Sequence, residues 1–210
     1  FADSAGNPIT DCQYSMTDPN SNESGGILGG GVAGTGVEPG NYEIGLHSII
    51  STVWSQTSAT VGETVTMTAK TAGIDDGTKA RLEVWIHDPN YSTRMLTCVE
   101  TQVTGNKIEG DWKIEISESL IQIVDDKEKI GQYSSPSYYF VAVAKGFSKR
   151  SGMLTVTDDV EITLKDKDGN AVPDKKYKLY LPTGEVRQGR LDGSGYAKET
   201  DVPAGRVRVA

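Results

Sequence analysis

Nine residues near the start of this 210-residue chain recur, in order and at a constant offset of 163, near its end. Asp3, Gly6, Asn7, Asp11, Tyr14, Pro19, Gly26, Leu28 and Gly30 reappear as Asp166, Gly169, Asn170, Asp174, Tyr177, Pro182, Gly189, Leu191 and Gly193. After a two-residue slip the register resumes, with Val37 and Gly40 matching Val202 and Gly205. At ordinary residue frequencies roughly two such matches would arise by chance over this length. The chain is therefore one small module written twice around an unrelated middle. Both copies must follow the same backbone path, which favours a spacer, adaptor or binding array over an enzyme.

The repeat divides the chain into residues 1–47, 48–157 and 158–210. Modules this small bury little surface and lean on their neighbours. Val, Ile, Thr and Tyr dominate the patterned stretches and glycine is abundant, which suits short strands joined by tight turns. In the first copy, Cys12, Tyr14 and Met16 alternate onto one face, so Tyr14 and Tyr177 are expected in equivalent inward positions. The run Gly25–Gly31 lacks the following helix and lysine of a phosphate loop and reads as a turn. In the middle, Glu63–Lys70 and Ala80–His87 alternate cleanly, and further strands are predicted at Arg94–Gln102, Asp111–Ile116, Ser137–Ala144 and Gly152–Val156. Short strands at this spacing predict a β-sandwich of immunoglobulin type. Its expected core is Val65, Met67, Leu82, Val84, Ile86, Phe140 and Val141. The stretch Glu118–Lys129 reads equally as a short helix or as an insertion loop with one turn of helix.

A net charge of −8 argues against a protein that wraps nucleic acid phosphates or docks on anionic lipid. No apolar run approaches the ~18–20 residues of a membrane span, and no signal peptide opens the chain. It starts at Phe1 without the strand that Val160–Leu164 supplies in the second copy, and stops at Ala210 inside an apparent strand. Both ends read as cut, and the missing strand is expected from upstream sequence. The two cysteines, Cys12 and Cys98, are too few for a disulfide framework or a cysteine-based zinc site. Alternation places Cys98 among inward-facing residues, as a buried free thiol.

Catalytic chemistry finds little support. His47 and His87 sit in no metal pattern, and a Gly-x-Ser-x-Gly elbow is absent. Neither cysteine has an evident His or Asn partner in the sequence. The pairs Asp75-Asp76, Asp125-Asp126 and Asp158-Asp159 fall in predicted turns or junctions, where Asp serves the local backbone. Asp166-Lys167-Asp168-Gly169-Asn170 is the nearest approach to a calcium loop, and the first copy replaces its second carboxylate by Ala5. No catalytic residue, metal ligand or cofactor is expected. Outward aromatic rings are the remaining binding candidates, Trp85 and Tyr91 first, with Tyr138 and Tyr139 beside them.

The second copy, from Leu164–Asn170 through Tyr177–Gly184 to Gly189–Tyr196 and Val202–Gly205, resembles a transthyretin-like or carboxypeptidase-regulatory-like β module. Such modules recur in the C-terminal extensions of bacterial type VI secretion spike proteins and related delivery proteins. The middle stretch is similar to the sandwich that precedes this module there, at Trp54-Ser55, Ala59–Val65, Asp76–Lys79 and Tyr138–Val141. The resemblance implies an all-β chain of three tandem β-sandwich modules, the first and third transthyretin-like and the middle one immunoglobulin-like. It further implies a non-catalytic, protein-binding segment that links or displays an effector on a secretion spike or surface assembly. Its partner would be an effector or spike component, and it would be assembled in the cytoplasm and delivered extracellularly by a bacterial secretion apparatus. The alternatives are a carbohydrate- or peptidoglycan-binding tandem and the accessory region of a hydrolase.

Overall fold

The computed structural model of the chain describes residues 6, 8, 12–29, 39–87, 93–115, 133 and 135–210. Every regular element among them is a strand: β1 (Gln13–Thr17), β2 (Glu23–Ile27), β3 (Glu43–Trp54), β4 (Ser58–Thr60), β5 (Thr64–Ala72), β6 (Lys79–His87), β7 (Arg94–Thr104), β8 (Lys107–Lys113), β9 (Ser137–Ala144), β10 (Phe147–Arg150), β11 (Leu154–Thr163), β12 (Lys176–Tyr180), β13 (Val186–Arg190), β14 (Tyr196–Pro203) and β15 (Arg208–Val209).

The main core follows from the alternation of β5 and β6. Val65, Met67 and Ala69 on one strand, and Leu82, Val84 and Ile86 on the other, are fully buried, while their neighbours in sequence turn outward. β5 lies between β3 and β8, and β6 between β7 and β9. β7 belongs to both groups: most of it pairs with β6, whereas Val103 and Thr104 pair with β8. The ladder thus turns over on itself into two facing layers, β3-β5-β8 and β7-β6-β9, the second extended by β10 and β11. This is the immunoglobulin-type sandwich that the strand spacing predicts. Trp54 sits at its centre, edge-on to Phe140 at 4.8 Å and 6.1 Å from Trp112. Its indole N–H donates to the Gly152 carbonyl at 3.1 Å, and the Thr52 hydroxyl donates to the Arg150 carbonyl at 2.9 Å. These bonds fasten one side of the sandwich where β3 and β10 run side by side without a ladder.

Two strands serve more than one layer. Glu43–His47 of β3 pair with β1, and the rest of β3, from Ser48, pairs with β5. The start of β11 pairs with β9 and β4, and from Thr157 onward it pairs with β14. A second, smaller core lies beyond this point, built from Ile162, Tyr177, Leu179, Leu181, Leu191 and Val202.

Over the described residues, the central hairpin of the duplicated motif has the same pairing in both copies. Tyr14 lies opposite Gly26 and Tyr177 opposite Gly189. Met16 faces Ile44 and Leu179 faces Val209, with the second partner displaced by the two-residue slip. The Asp18 N–H donates to the Asn22 carbonyl and the Leu181 N–H to the Glu185 carbonyl, both at 2.9 Å. The Leu28 N–H donates to the Cys12 carbonyl and the Leu191 N–H to the Lys175 carbonyl, both at 2.8 Å. Left-handed backbone recurs at Ser21 and Gly184. A strand glycine is weakening unless something needs its space, and here the tyrosine ring does. A Cβ on Gly26 would stand 3.2 Å from the Tyr14 ring, and one on Gly189 would collide with the Tyr177 phenol. The Tyr177 hydroxyl donates to Glu199 at 2.5 Å, and that bond is the main reason its pKa is pushed up to about 12.

Several sequence expectations need correction. Gly25 and Gly26 lie within β2 rather than in a turn, because they face Ser15 and Tyr14 across the ladder. Val141 is half-buried on the outer face, since its neighbour Phe140 points inward and successive strand residues alternate. Cys98 also points outward, opposite Glu83, because Val99 takes the inward position opposite Leu82. Tyr138 is a core residue, 2% exposed and 5.6 Å from Trp112, and burial raises its pKa. The whole of Glu118–Lys129 and of Gly30–Glu38, which in sequence answers to β14 of the second copy, lies outside the described residues.

The tyrosine–glycine pairing is expected to make Gly189→Ala destabilising by about 1–3 kcal/mol through overpacking. Gly193→Ala, where a Cβ meets nothing within 4 Å, should cost well under half as much. Urea denaturation of the two variants checks this, and equal losses would refute the pairing as the reason for the repeated glycine.

Candidate functional site

The outward face of β6, β9 and β10 carries the aromatic residue singled out from the sequence. Trp85 lies opposite Tyr139 across the ladder, their rings parallel to within 2° and their centroids 6.4 Å apart. The Arg150 guanidinium stands 3.8 Å from the Tyr139 ring centre, a cation–π contact that covers the phenol. Tyr139 is accordingly only 8% exposed. The Trp85 indole N–H donates to Glu83 at 3.2 Å, and the same carboxylate forms a 2.6 Å ion pair with Arg81. Met95, 48% exposed, faces Trp85 from β7. The patch that remains is small and apolar, made of the half-buried Trp85 and Met95. Its polar handle is already committed to Glu83. Tyr91 lies outside the described residues.

On the neighbouring edge of the same sheet, Cys98 lies near Glu100, with Sγ 3.7 Å from Oε1. Desolvation raises its pKa first and Glu100 second, so the thiol is held away from the reactive thiolate form. Cys12 is buried and likewise a free thiol.

The structure brings together one pair that the sequence reading missed. His47 Nε2 lies 3.1 Å from the Ser15 hydroxyl and its Nδ1 2.7 Å from the Gly73 carbonyl. A carbonyl only accepts, so the neutral ring carries its proton on Nδ1 and Nε2 receives the serine hydroxyl. The order serine, imidazole, acceptor is that of an activated nucleophile. The surroundings differ from a hydrolase, however. Ser15 lies in the central strand β1, flanked by Gly25 and Gly45 in ladders on both sides, so nearby backbone amides are spent on pairing rather than aimed at an oxyanion. Gly73, with φ +60°, gives the imidazole its room, and a side chain there would strike His47. His47 is thus a clasp: Ser15 belongs to the first copy, Gly73 follows β5 of the sandwich, and the ring bonds to both. No local signal could have revealed this, because the partners are 32 and 26 residues away. At the second joint, the Tyr133 hydroxyl donates to the Ala204 carbonyl at 2.7 Å.

Asp166 serves its own turn, whereas Asp76 and Asp159 reach partners distant in sequence, and Asp158-Asp159 lies within β11. Asp166 accepts backbone N–H bonds from Asp168 and Asn170 at 2.8 and 2.9 Å, and the Asn170 bonds chiefly hold its pKa below the usual carboxylate range. Asp76 accepts from the Gly105 N–H at 2.9 Å, and Asp159 forms a 2.6 Å ion pair with Lys198. Asp125 and Asp126 lie outside the described residues. An open cleft of about 430 Å³ runs along Arg94–Thr97 and Trp112–Lys113, where Arg94 Nε and Nη2 are buried without a hydrogen-bond partner.

No protein-family model matches the chain, and neither does any curated protein sequence. Among solved structures, it is similar to a crystal structure of a tetra-tandem repeat in the extending region of a large adhesion protein, at 14% identity and a TM-score of 0.32. It is also similar to E. coli alpha-2-macroglobulin in its native conformation, at 10% identity and a TM-score of 0.33. The matches cover 97% and 95% of this chain but only 63% and 16% of the other chains. At these TM-scores neither likeness carries an argument about function.

Trp54 and Trp112 are 7% and 8% exposed, so of the three tryptophans Trp85 is the one open to solvent. Acrylamide quenching of the native protein should show one accessible fluorescence component, and Trp85→Phe should remove it. A quenchable component that persists in the variant would show that the outer face has been assigned to the wrong residue.

Proposed function

We propose that this chain is a non-catalytic spacer and protein-binding segment that holds or displays a partner on a surface assembly. The observation that most supports this reading is the passage of β3 and β11 through the joints without an intervening loop. A joint inside a hydrogen-bonded strand resists bending, whereas a Gly/Ser linker swings freely. The side-chain clasps reinforce it, His47 to Gly73 at one joint and Tyr133 to Ala204 at the other. The sequence resemblance to spike extensions gives the assembly a concrete form: a bacterial secretion spike that carries an effector out of the cell. The same resemblance makes the partner an effector or spike component. The commitment of Ser15 and His47 to the first joint, with the nearby amides paired, supports a non-catalytic role.

The reading is tested by inserting Gly-Ser-Gly-Ser between His47 and Ser48. Small-angle scattering should show a wider spread of intramolecular distances in the insertion variant than in the native chain, with the sandwich still melting cooperatively. Native protein exposed to a fluorophosphonate should take no label at Ser15. Identical scattering with and without the insertion, or a stoichiometric label on Ser15, would count against a stiff, non-catalytic spacer.

A further inference from the structure

The outward face of the β13-β12-β15 sheet is basic, and its sister face in the first copy is not. Tyr177 and Leu179 point into the small core, so Lys176 and Lys178 point outward. Across the ladders Lys176 faces Arg190, and Tyr180 faces Arg208. The Arg208 guanidinium is stacked 4.2 Å from the Tyr180 ring centre, and Arg190 is anchored by a 2.7 Å bond to the Asp174 carbonyl. All four cations are exposed, and none forms an ion pair among the described residues. Like charges placed directly opposite, as in Lys176 and Arg190, destabilise a strand pair.

The first copy acts as an internal control. At the positions of Lys176, Lys178, Arg190 and Arg208 it carries Gln13, Ser15, Ile27 and Glu43, in the same register. The fold therefore does not require the cations. The charge elsewhere is complementary: residues 1–47 contain six Asp or Glu and no Lys or Arg. Glu23 and Glu43 are exposed on the outer face of β2-β1-β3, with Ile27 71% exposed beside them.

We infer that the basic face of the second copy docks on the acidic first copy of another molecule of this chain. The contact joins two different surfaces, so it is heterologous and propagates head to tail instead of closing a dimer. Three short strands cover less than the ~1,200–2,000 Å² of a stable interface, so the contact is weak, concentration-dependent and carried by charge. It becomes effective where many copies are held close together.

Sedimentation velocity of the whole 210-residue chain at several concentrations provides the test. At ~0.01 M salt, where screening acts over about 30 Å, the weight-average sedimentation coefficient should rise with concentration. At ~1 M salt, where it acts over about 3 Å, the chain should return to monomer. Lys176→Glu with Lys178→Glu should weaken association by about tenfold or more, as should Glu23→Lys with Glu43→Lys. Combining all four substitutions in one chain should restore it, an outcome that misfolding would not produce. A monomer at every concentration in low salt, or association that survives the separate reversals, would overturn the proposal. So would a monomer whose lysines instead retain it on a soluble polyanion such as polyglutamate, since that would give the face to another partner.

Discussion

The structure depends on backbone pairing that two strands carry from one sheet into the next. β3 begins in the sheet of the first copy and ends inside the sandwich, and β11 begins in the sandwich and ends in the sheet of the second copy. Every residue in these strands but Ile50 and Asp159 has a ladder partner on at least one side, because an orphaned backbone group costs about as much as a lost hydrogen bond. A bend at either joint would therefore open a ladder. The register shifts between Ile49 and Ser51 and between Asp158 and Val160 fall beside the joints, where a bulge turns the strand without abandoning pairing. Buried side chains then fix what the backbone allows, with Trp54 tying β3 to Gly152 and Val202 entering the small core from β14.

Duplication explains which features of the terminal modules are structural and which are free to differ. The tyrosine over its glycine, the turn bonds and the buried Leu28 and Leu191 recur because each fixes the hairpin. The outward positions of the same hairpin carry no such duty, and there the copies diverge in charge. A chain that keeps the fold of a module while changing its exterior gains two different surfaces at a known separation. This is the economy of a repeat protein, in which neighbouring units are built alike and distinguished by their faces.

Much of this was legible in the sequence, and the reasons are specific. Alternation identified β5 and β6 because Val65–Ala69 and Leu82–Ile86 lie on strands with one buried face. The nine-residue repeat placed Tyr14 and Tyr177 in equivalent positions, opposite Gly26 and Gly189, with Tyr177 buried and Tyr14 half-buried. Three of the misjudged residues share one cause. Cys98, Tyr138 and Val141 lie on strands with apolar residues on both faces, so composition could not decide the phase. Tyr139 illustrates the point: it faces outward yet is buried, because Arg150 from β10 covers it. The irregular pairing between Val84 and Trp85 further displaced the register of β7. The Ser15–His47–Gly73 clasp was illegible for another reason, since it depends on a joint that only the three-dimensional path creates.

The central claim is that the joints are rigid, and ¹⁵N relaxation of the native chain tests it most directly. If β3 and β11 hold through their joints, amides in β1, β6 and β12 should report one rotational correlation time, and His47–Ile49 and Thr157–Val160 should show order parameters of about 0.85. Separate correlation times for β1 and β6, or order parameters below about 0.6 at His47–Ile49, would contradict it.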